Sequence, residues 1–160
     1  MRPAILVVCL ANVCRSPMAQ GLLGQCFPAV DVSSAGIHGI EGHPADPLAC
    51  DVMLARGVDI ASHRARRLDV TQCLRADLIL VMERAQRLHI ERCFPAARGR
   101  VFNLGLFPHA GYEPDHFDIP DPSGGPHSAF ERCADLIAHG IEAWEHRIRS
   151  LLACPDRIVH

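Results

Sequence analysis

A cysteine and an arginine separated by five residues carry the strongest chemical signal in the chain. Cys9 and Arg15 bracket the segment Leu10-Ala11-Asn12-Val13-Cys14. A short loop before a helix can turn successive backbone N–H groups inward, and the helix N-terminus adds its positive end. The guanidinium group of Arg15 matches two oxygens of a tetrahedral oxyanion. A loop of this kind would suit a tetrahedral oxyanion, with Cys9 at its centre as a thiolate nucleophile.

The spacing alone is a weak signal, because a core cysteine followed by a surface arginine produces it too. Its context favours a site, since a buried strand precedes Cys9 and Asn12 lies within the loop. Ser16-Pro17 is typical of a helix start, with Ser16 as the cap and Pro17 at the first helical position. The Ser16 hydroxyl could instead donate to the Cys9 sulfur, and the sequence leaves both roles open. No Gly-Lys-Ser/Thr follows, which excludes a P-loop nucleotide site.

The elements that would position this loop alternate along the chain. Apolar, β-branched runs predict strands over residues 3–8 (ending at Cys9), 30–37, 78–82 and 101–107. Caps and periodicity predict helices over residues 16–27, 46–57, 84–93 and, at the C-terminus, about 130–151. This order predicts an α/β fold with a four-stranded parallel sheet and helices on both faces. Ligands bind at the carboxyl ends of such strands, where Cys9 lies.

Composition excludes several classes of function. The 160 residues are 49% hydrophobic and 21% charged, which predicts one domain over residues 1–160. A net charge of −2 argues against nucleic-acid binding and against attraction to an anionic membrane. No apolar run reaches the roughly 18 residues of a membrane span, and residues 3–11 are better read as a strand than as a signal peptide. We therefore expect no membrane insertion and a cytoplasmic location.

Eight cysteines occur at wide spacings. Without an export signal they do not indicate a disulfide framework, and we expect most of them to be reduced core residues. Neither C-x-x-C nor H-E-x-x-H occurs. The sequence therefore predicts no metal and no cofactor.

The segment 108–126 contains five prolines and predicts a long loop. Its acidic residues Asp115, Asp118 and Asp121 are candidates for a general acid that protonates a leaving group above the anion nest. From the residues alone all three remain open, because solvated loop acids give the same pattern.

The stretch Val8-Cys9-Leu10-Ala11-Asn12-Val13-Cys14-Arg15-Ser16-Pro17-Met18-Ala19 resembles the signature of the low-molecular-weight protein tyrosine phosphatases. Further matches follow in the family's order at residues 33–36, 62–66, 78–82 and 119–122. Residues 42–47 and 63–66 are most similar to the bacterial branch associated with capsule or exopolysaccharide production.

The resemblance implies a role for each matching residue. The nucleophile falls on Cys9, the phosphate-binding arginine on Arg15 and the general acid on Asp121. Hydrogen-bonding support falls on Asn12, Ser34 and His63. The phosphate-binding loop comprises Leu10, Ala11, Asn12, Val13, Cys14, Arg15 and Ser16. Cys14 is implied as a reversible disulfide partner of Cys9, although a small core residue would also fit that position.

The implied activity is metal-free hydrolysis of phosphotyrosine in proteins through a phosphocysteine intermediate. The implied partner is a phosphotyrosine protein, in particular an autophosphorylated tyrosine kinase of polysaccharide export. Two positions depart from the family pattern. Ala11 replaces a common glycine, and Ser123-Gly124 replaces an aromatic pocket wall. The pocket must then use Leu10, Val13, residues 37–40 and Phe117.

Three other functions fit parts of this pattern. Protein-arginine phosphatases resemble this pattern but carry Thr at the position of Val13, so phosphotyrosine is favoured. Arsenate reductases need closely spaced downstream cysteines, and Cys73 and Cys93 are too far apart. A phosphopeptide-binding module without catalysis is disfavoured by the presence of Cys9, Arg15 and an acid.

Overall fold

The four apolar runs form one parallel sheet in the computed structural model, which describes residues 1–105 and 118–154. Within those ranges the strands are β1 (Ala4–Cys9), β2 (Asp31–Gly36), β3 (Leu78–Val81) and β4 (Val101–Asn103), in the spatial order β2-β1-β3-β4. Val7 lies opposite Ser34, and Val8 lies opposite Val81. Because all pairs are parallel, the carboxyl ends of the strands meet at one edge. The predicted fold class is confirmed.

Five α-helices of the described ranges pack on this sheet. They are α1 (Arg15–Cys26), α2 (Pro47–Ala55), α3 (Val70–Arg75), α4 (Arg84–Cys93) and α5 (His127–Ala153). The predicted cap of α2 is confirmed, since the Asp46 side chain accepts a hydrogen bond from the Leu48 N–H at 2.8 Å. Gly57 follows the end of α2 with a φ of 79°, a conformation that glycine adopts without strain.

Alternate residues of β1 and β3 supply two separate cores, as expected for strands buried on both faces. Ile5, Val7 and Leu80 pack with α1, α2 and α5 on one face. Leu6 and Val8 pack on the other face in a cluster that includes residues of α3 and α4. The sheet is therefore sandwiched between helices, and its carboxyl edge remains available for a site.

The elements differ from the predicted ones at three places. The fourth strand ends at Asn103, because the chain turns at Leu104 and Gly105, and residues 106 and 107 lie outside the described ranges. Helix α3 was not predicted, although Asp69 and Gln72 form a capping box at its start. Helix α1 begins at Arg15 with Cys14 at the cap position, so of the two roles left open for Ser16 the cap is not the one observed.

The cysteines largely follow expectation. All eight lie within the described ranges and are free thiols. Four of them are buried in the two cores, namely Cys9, Cys14, Cys73 and Cys133, and the partly buried Cys50 packs against one core. The remaining three, Cys26, Cys93 and Cys154, are exposed. The short thiol side chain is tolerated on exposed helix surfaces as well as in the core.

No helix within residues 1–105 and 118–154 combines the length and the apolar composition that crossing a membrane requires. No group of three or more His, Cys, Asp or Glu side chains in the same part of the chain could hold a metal ion.

Two helical glycines give a matched test of the packing. A Cβ at Gly140 of α5 would lie 2.7 Å from the Leu104 carbonyl oxygen, whereas a Cβ at Gly24 of α1 would meet nothing within 4 Å. We expect Gly140→Ala to lower the free energy of unfolding by about 1–2 kcal/mol, because overpacking outweighs the gain in helix propensity. Gly24→Ala should raise it by about 0.5–1 kcal/mol. Urea denaturation measures both, and stabilisation by both variants would contradict the close approach of α5 to Leu104.

Candidate active site

The loop between β1 and α1 is built around Asn12. Asn12 is completely buried and has a φ of 61°, a left-handed conformation that asparagine tolerates better than most residues. Its Nδ2 donates to Ser16 Oγ at 2.7 Å and to Ser34 Oγ at 2.9 Å. Its Oδ1 accepts from the Arg66 N–H at 2.9 Å. Every polar atom of the side chain is therefore used to hold the turn.

The Ser16 hydroxyl bonds the Cys9 sulfur and does not cap helix α1. Its Oγ lies 2.9 Å from Cys9 Sγ and accepts a hydrogen bond from Asn12. With its lone pair engaged by Asn12, the hydroxyl proton is free to donate to the sulfur. No side chain of the described residues caps the start of α1. The structure thus decides between the two roles that the sequence left open.

Cys9 ends β1 at the carboxyl edge of the sheet and is 3% exposed. The N-terminus of α1 follows six residues later, with no acidic residue in its first turn. The helix end therefore presents unsatisfied N–H groups and a positive dipole end near the sulfur. The Cys9 sulfur therefore lies between a hydroxyl donor and a helix N-terminus.

Arg15 is held by groups outside the loop. The side chain is 2% exposed, and its Nη1 donates both to the Glu83 carboxylate and to the Ile119 carbonyl oxygen, the latter at 2.8 Å. A guanidinium group has five N–H bonds, so Nε and Nη2 keep three for a ligand. Nη2 lies 3.7 Å from Asp121 Oδ2. Arg15 is thus fixed in orientation while donors remain for an oxyanion.

Asp121 faces the same small cavity as the nucleophile. The cavity has a volume of about 40 Å³ and is lined by Cys9, Leu10, Ala11, Val13, Cys14, Arg15, Asp121 and Ser123. Asp121 Oδ1 accepts from the Ser123 N–H at 3.0 Å, and the side chain is 43% exposed. Of the two candidate acids that the structure describes, Asp121 is the one placed with Cys9 and Arg15.

Asp118, the other candidate acid in the described ranges, has a different role. Asp118 Oδ1 accepts from the Arg84 N–H at 2.8 Å, so that carboxylate caps the start of α4. Asp115 lies outside the described residues, as does Phe117, which was expected in the pocket wall. Leu10 and Val13 line the cavity as expected. Ile40, from the expected 37–40 segment, is 53% exposed.

Ser34 and His63 brace the loop from opposite sides. Ser34 donates to Gln20 Oε1 at 2.6 Å and accepts from Asn12. His63 Nε2 lies 2.8 Å from the Asn12 carbonyl oxygen. Burial lowers the pKa of His63 below 6.5, although the hydrogen bond to Asn12 acts in the opposite direction. The ring is therefore neutral near pH 7, with its proton on Nε2 and donated to Asn12.

Cys14 lines the cavity but differs from Cys9 in its surroundings. It is 6% exposed, and burial, followed by the charges of Asp46 and Asp121, raises the pKa of its thiol to about 12. Cys14 is therefore protonated near neutral pH and does not compete as a nucleophile.

Sequence reasoning missed three supporting residues. Glu83 pairs with Arg15, Gln20 accepts from Ser34, and the Arg66 N–H donates to Asn12. Glu83 follows β3 by two positions, at the carboxyl edge where ligand sites form, and that position could have identified it. Gln20 and Arg66 depend on contacts between distant segments that no local pattern reveals.

Comparison with known proteins places this geometry in a family. The sequence model of the low molecular weight phosphotyrosine protein phosphatases matches residues 4–152. The chain belongs to this family. The match includes the loop from Cys9 to Ser16, Glu83 and Asp121.

Individual members cover nearly the whole chain. A probable low molecular weight protein-tyrosine-phosphatase, EpsP of Ralstonia nicotianae, is 49% identical over 151 residues, which are 94% of this chain and 99% of that protein. The solved structure of Vibrio vulnificus Wzb in complex with benzylphosphonate is 34% identical, with a TM-score of 0.83 over 92% of this chain and 99% of that one. The YwlE arginine phosphatase of Geobacillus stearothermophilus is 32% identical, with a TM-score of 0.84 over 98% and 99% of the two chains.

A glycine beside the loop offers a test of its geometry. A Cβ at Gly36 would lie 2.7 Å from the Ala11 carbonyl carbon and 2.8 Å from the Asn12 nitrogen, both backbone atoms. We expect Gly36→Ala to displace the loop and weaken binding of inorganic phosphate by at least about tenfold, which corresponds to about 1.4 kcal/mol. Calorimetric titration with phosphate measures this.

Ser33→Ala on the same strand is the control and should bind phosphate as wild type does. Far-UV circular dichroism of both variants checks that the sheet is retained. Unchanged phosphate affinity in a folded Gly36→Ala variant would show that the loop tolerates displacement and that its backbone does not hold the ligand.

Proposed function

We propose that this chain hydrolyses phosphotyrosine on proteins through a phosphocysteine intermediate on Cys9. The observation that supports this most is the shared cavity of Cys9, Arg15 and Asp121 at the N-terminus of α1. A nucleophile, an oxyanion-binding cation and an acid are the three groups that phosphoryl transfer from a phenol requires. Residues 1–160 would act as one phosphatase domain without metal or cofactor.

The first step transfers the phosphoryl group to sulfur. The Cys9 thiolate attacks phosphorus in line with the scissile bond, a P–S bond forms, and the bond to the phenolic oxygen breaks. The loop N–H groups and the free donors of Arg15 bind the equatorial oxygens, where charge concentrates in the transition state. Asp121 gives its proton to the leaving phenolate.

The second step regenerates the enzyme. The Asp121 carboxylate takes a proton from water, the water oxygen attacks phosphorus, and the P–S bond breaks. Inorganic phosphate leaves and Cys9 returns as a thiolate. The Ser16 hydroxyl is 2.9 Å from the sulfur and stabilises its negative charge when it is the leaving group.

Phosphotyrosine is preferred over phosphoarginine because of Val13. This side chain lines the cavity and has no hydroxyl, whereas the resemblance implies Thr at this position in protein-arginine phosphatases. The similarity to the YwlE arginine phosphatase keeps that substrate as the second candidate. Val13→Thr should raise activity on a phosphoarginine peptide relative to a phosphotyrosine peptide, and the ratio of the two kcat/KM values measures it.

The biological partner we propose is an autophosphorylated tyrosine kinase that controls exopolysaccharide export, with the reaction in the cytoplasm. The support is the similarity to EpsP and Wzb together with residues 42–47 and 63–66. Ser123 lines the cavity, in the segment where the resemblance implies an aromatic pocket wall.

Turnover of a phosphotyrosine peptide in the presence of chelator and reductant tests the proposal. Wild type should release phosphate, and Cys9→Ser should release none above background, because an alcohol is a far weaker nucleophile than a thiolate. Cys26→Ser makes the same change at an exposed cysteine and should retain full activity. Activity in Cys9→Ser, or none in wild type, would refute cysteine catalysis.

The role of Asp121 has a distinct kinetic signature. We expect Asp121→Asn to lower kcat by about 10²–10⁴-fold on a phenyl phosphate with a basic leaving group. The loss should shrink as electron-withdrawing substituents make the phenol more acidic, since such a phenolate leaves without a proton. Asp118→Asn is the control, and equal losses across the substrate series would exclude Asp121 as the acid.

Cys14 is proposed as a reversible redox partner. Peroxide would oxidise the Cys9 thiolate to a sulfenic acid, and Cys14 would then form the disulfide with release of water. Peroxide inactivation of wild type should therefore be reversed by dithiothreitol, whereas Cys14→Ala should become irreversibly inactive. Cys133→Ala, a second buried cysteine with a raised thiol pKa of about 12, controls for loss of a buried thiol. Unchanged recovery in Cys14→Ala would exclude the switch.

A further inference from the structure

A second cleft lies beside α1, outside the cavity that contains Cys9. Its volume is about 420 Å³, which is within the range of small-molecule sites. Pro17, Gln20 and Gly24 contribute one wall, at three- and four-residue steps along a single side of the helix. From Pro17 to Gly24 the helix rises about 10 Å, which sets the length of the cleft.

Missing side chains keep this cleft open. A Cβ at Gly24 would meet no atom within 4 Å, so the space beside the helix is empty there. At Gly21 the helix instead approaches Val58 and Ile60 closely, since a Cβ would lie 2.8 Å from Val58 Cγ1. The cleft therefore has a firm apolar floor and an open end at Gly24.

The polar groups of the cleft are mainly hydrogen-bond acceptors. Asp31 and Asp59 contribute two carboxylates, and Asp59 Oδ1 accepts only a backbone N–H, from Ala61 at 2.9 Å, among the hydrogen bonds of the described residues. His63 also lines the cleft, and because its Nε2 proton is donated to Asn12, the neutral ring keeps Nδ1 as an acceptor. Such a lining suits a ligand that is a donor and carries positive charge.

Two arginines near His63 indicate which end of the cleft suits the positive charge of a ligand. The charges of Arg64 and Arg66 act on His63 and oppose its protonation. A cation is therefore disfavoured at the His63 end and favoured beside Asp31 and Asp59. The remainder of the ligand would lie along the apolar floor formed by Val58 and Ile60.

We propose that the cleft binds a small organic cation, an alkylguanidinium or alkylammonium group on a chain of about four to six atoms, that spans its length of about 10 Å. Asp31 and Asp59 pair with the charged group, and the alkyl chain packs on Val58 and Ile60. The cation can come from a free metabolite or from the arginine or lysine side chain of a protein.

Bound ligand would also reach the phosphate loop. Gln20 accepts the hydrogen bond from Ser34, which in turn accepts from Asn12, and His63 bonds the Asn12 carbonyl oxygen directly. Two residues of the cleft are thus one or two hydrogen bonds from the centre of the loop. Cation binding and phosphate binding should therefore change each other's affinity by the same factor. This coupling, unlike the binding itself, rests on the proposed phosphate-binding role of the loop.

Binding is tested without any measurement of turnover. Titration of the wild-type protein with n-butylguanidinium, followed by NMR, should show saturable shifts, whereas the neutral isostere n-butylurea should bind at least about tenfold more weakly. Asp31→Asn, Asp59→Asn and the cleft-filling Gly24→Leu should each weaken n-butylguanidinium binding. Asp51→Asn on the exposed surface of α2 is the matched control and should bind as wild type does.

The outcomes separate the parts of the proposal. Equal binding of the urea and the guanidinium, or full binding to Gly24→Leu, would overturn the cation site whatever the enzyme's activity. If a capped Gly-Arg-Gly peptide binds at the same residues, the cation is assigned to a protein side chain. If n-butylguanidinium binds and the peptide does not, the cation is assigned to a free molecule. Repeating the titration with saturating inorganic phosphate should change the affinity at least about twofold. An unchanged affinity would overturn the coupling.

Discussion

The left-handed turn at Asn12 is the constraint on which the site depends. A φ of 61° at a fully buried residue is sustained only because four hydrogen bonds converge there, from two serines, the His63 ring and the Arg66 backbone. Those partners come from β2, α1 and the segment after α2. The loop is therefore an outcome of the tertiary fold rather than a local motif, and a shift of any of these elements would be transmitted to the phosphate site.

The buried charge of Arg15 is likewise stabilised by groups from other parts of the chain. A buried guanidinium without a partner would be costly, and Glu83 with the Ile119 carbonyl removes that cost in the empty site. Both partners bind Nη1 and leave the other donors free. The guanidinium group of Arg15 is thus stabilised through Nη1, while its other N–H groups are left for the phosphate that we propose it binds. The Glu83 N–H also donates to Gln86 Oε1 at 3.1 Å, which fixes its backbone at the start of α4.

The sequence was sufficient for what local patterns determine. The alternation of strand-like and helix-like segments identified the four strands of the described ranges, and the family motif located Cys9, Arg15 and Asp121, which the structure brings into one cavity. The sequence did not decide the role of a side chain that can make either of two hydrogen bonds. Ser16 is typical of a cap, yet its hydroxyl is used by Cys9 and Asn12. Glu83, Gln20 and Arg66 act through contacts between segments far apart in the chain, and only the folded arrangement shows them.

The absence of a side-chain cap at the start of α1 bears both on the stability of that helix and on the ligand binding that we propose. A side-chain cap contributes about 1 kcal/mol to a helix, and within the described residues α1 has none. Its first N–H groups and its positive end are left for an anion, and the sulfur of Cys9 lies beside them. An oxyanion bound as we propose would supply the hydrogen bonds that the cap omits, so ligand binding and helix stability would share the same donors. The stability that α1 lacks at this end would then be recovered as part of the affinity for phosphate.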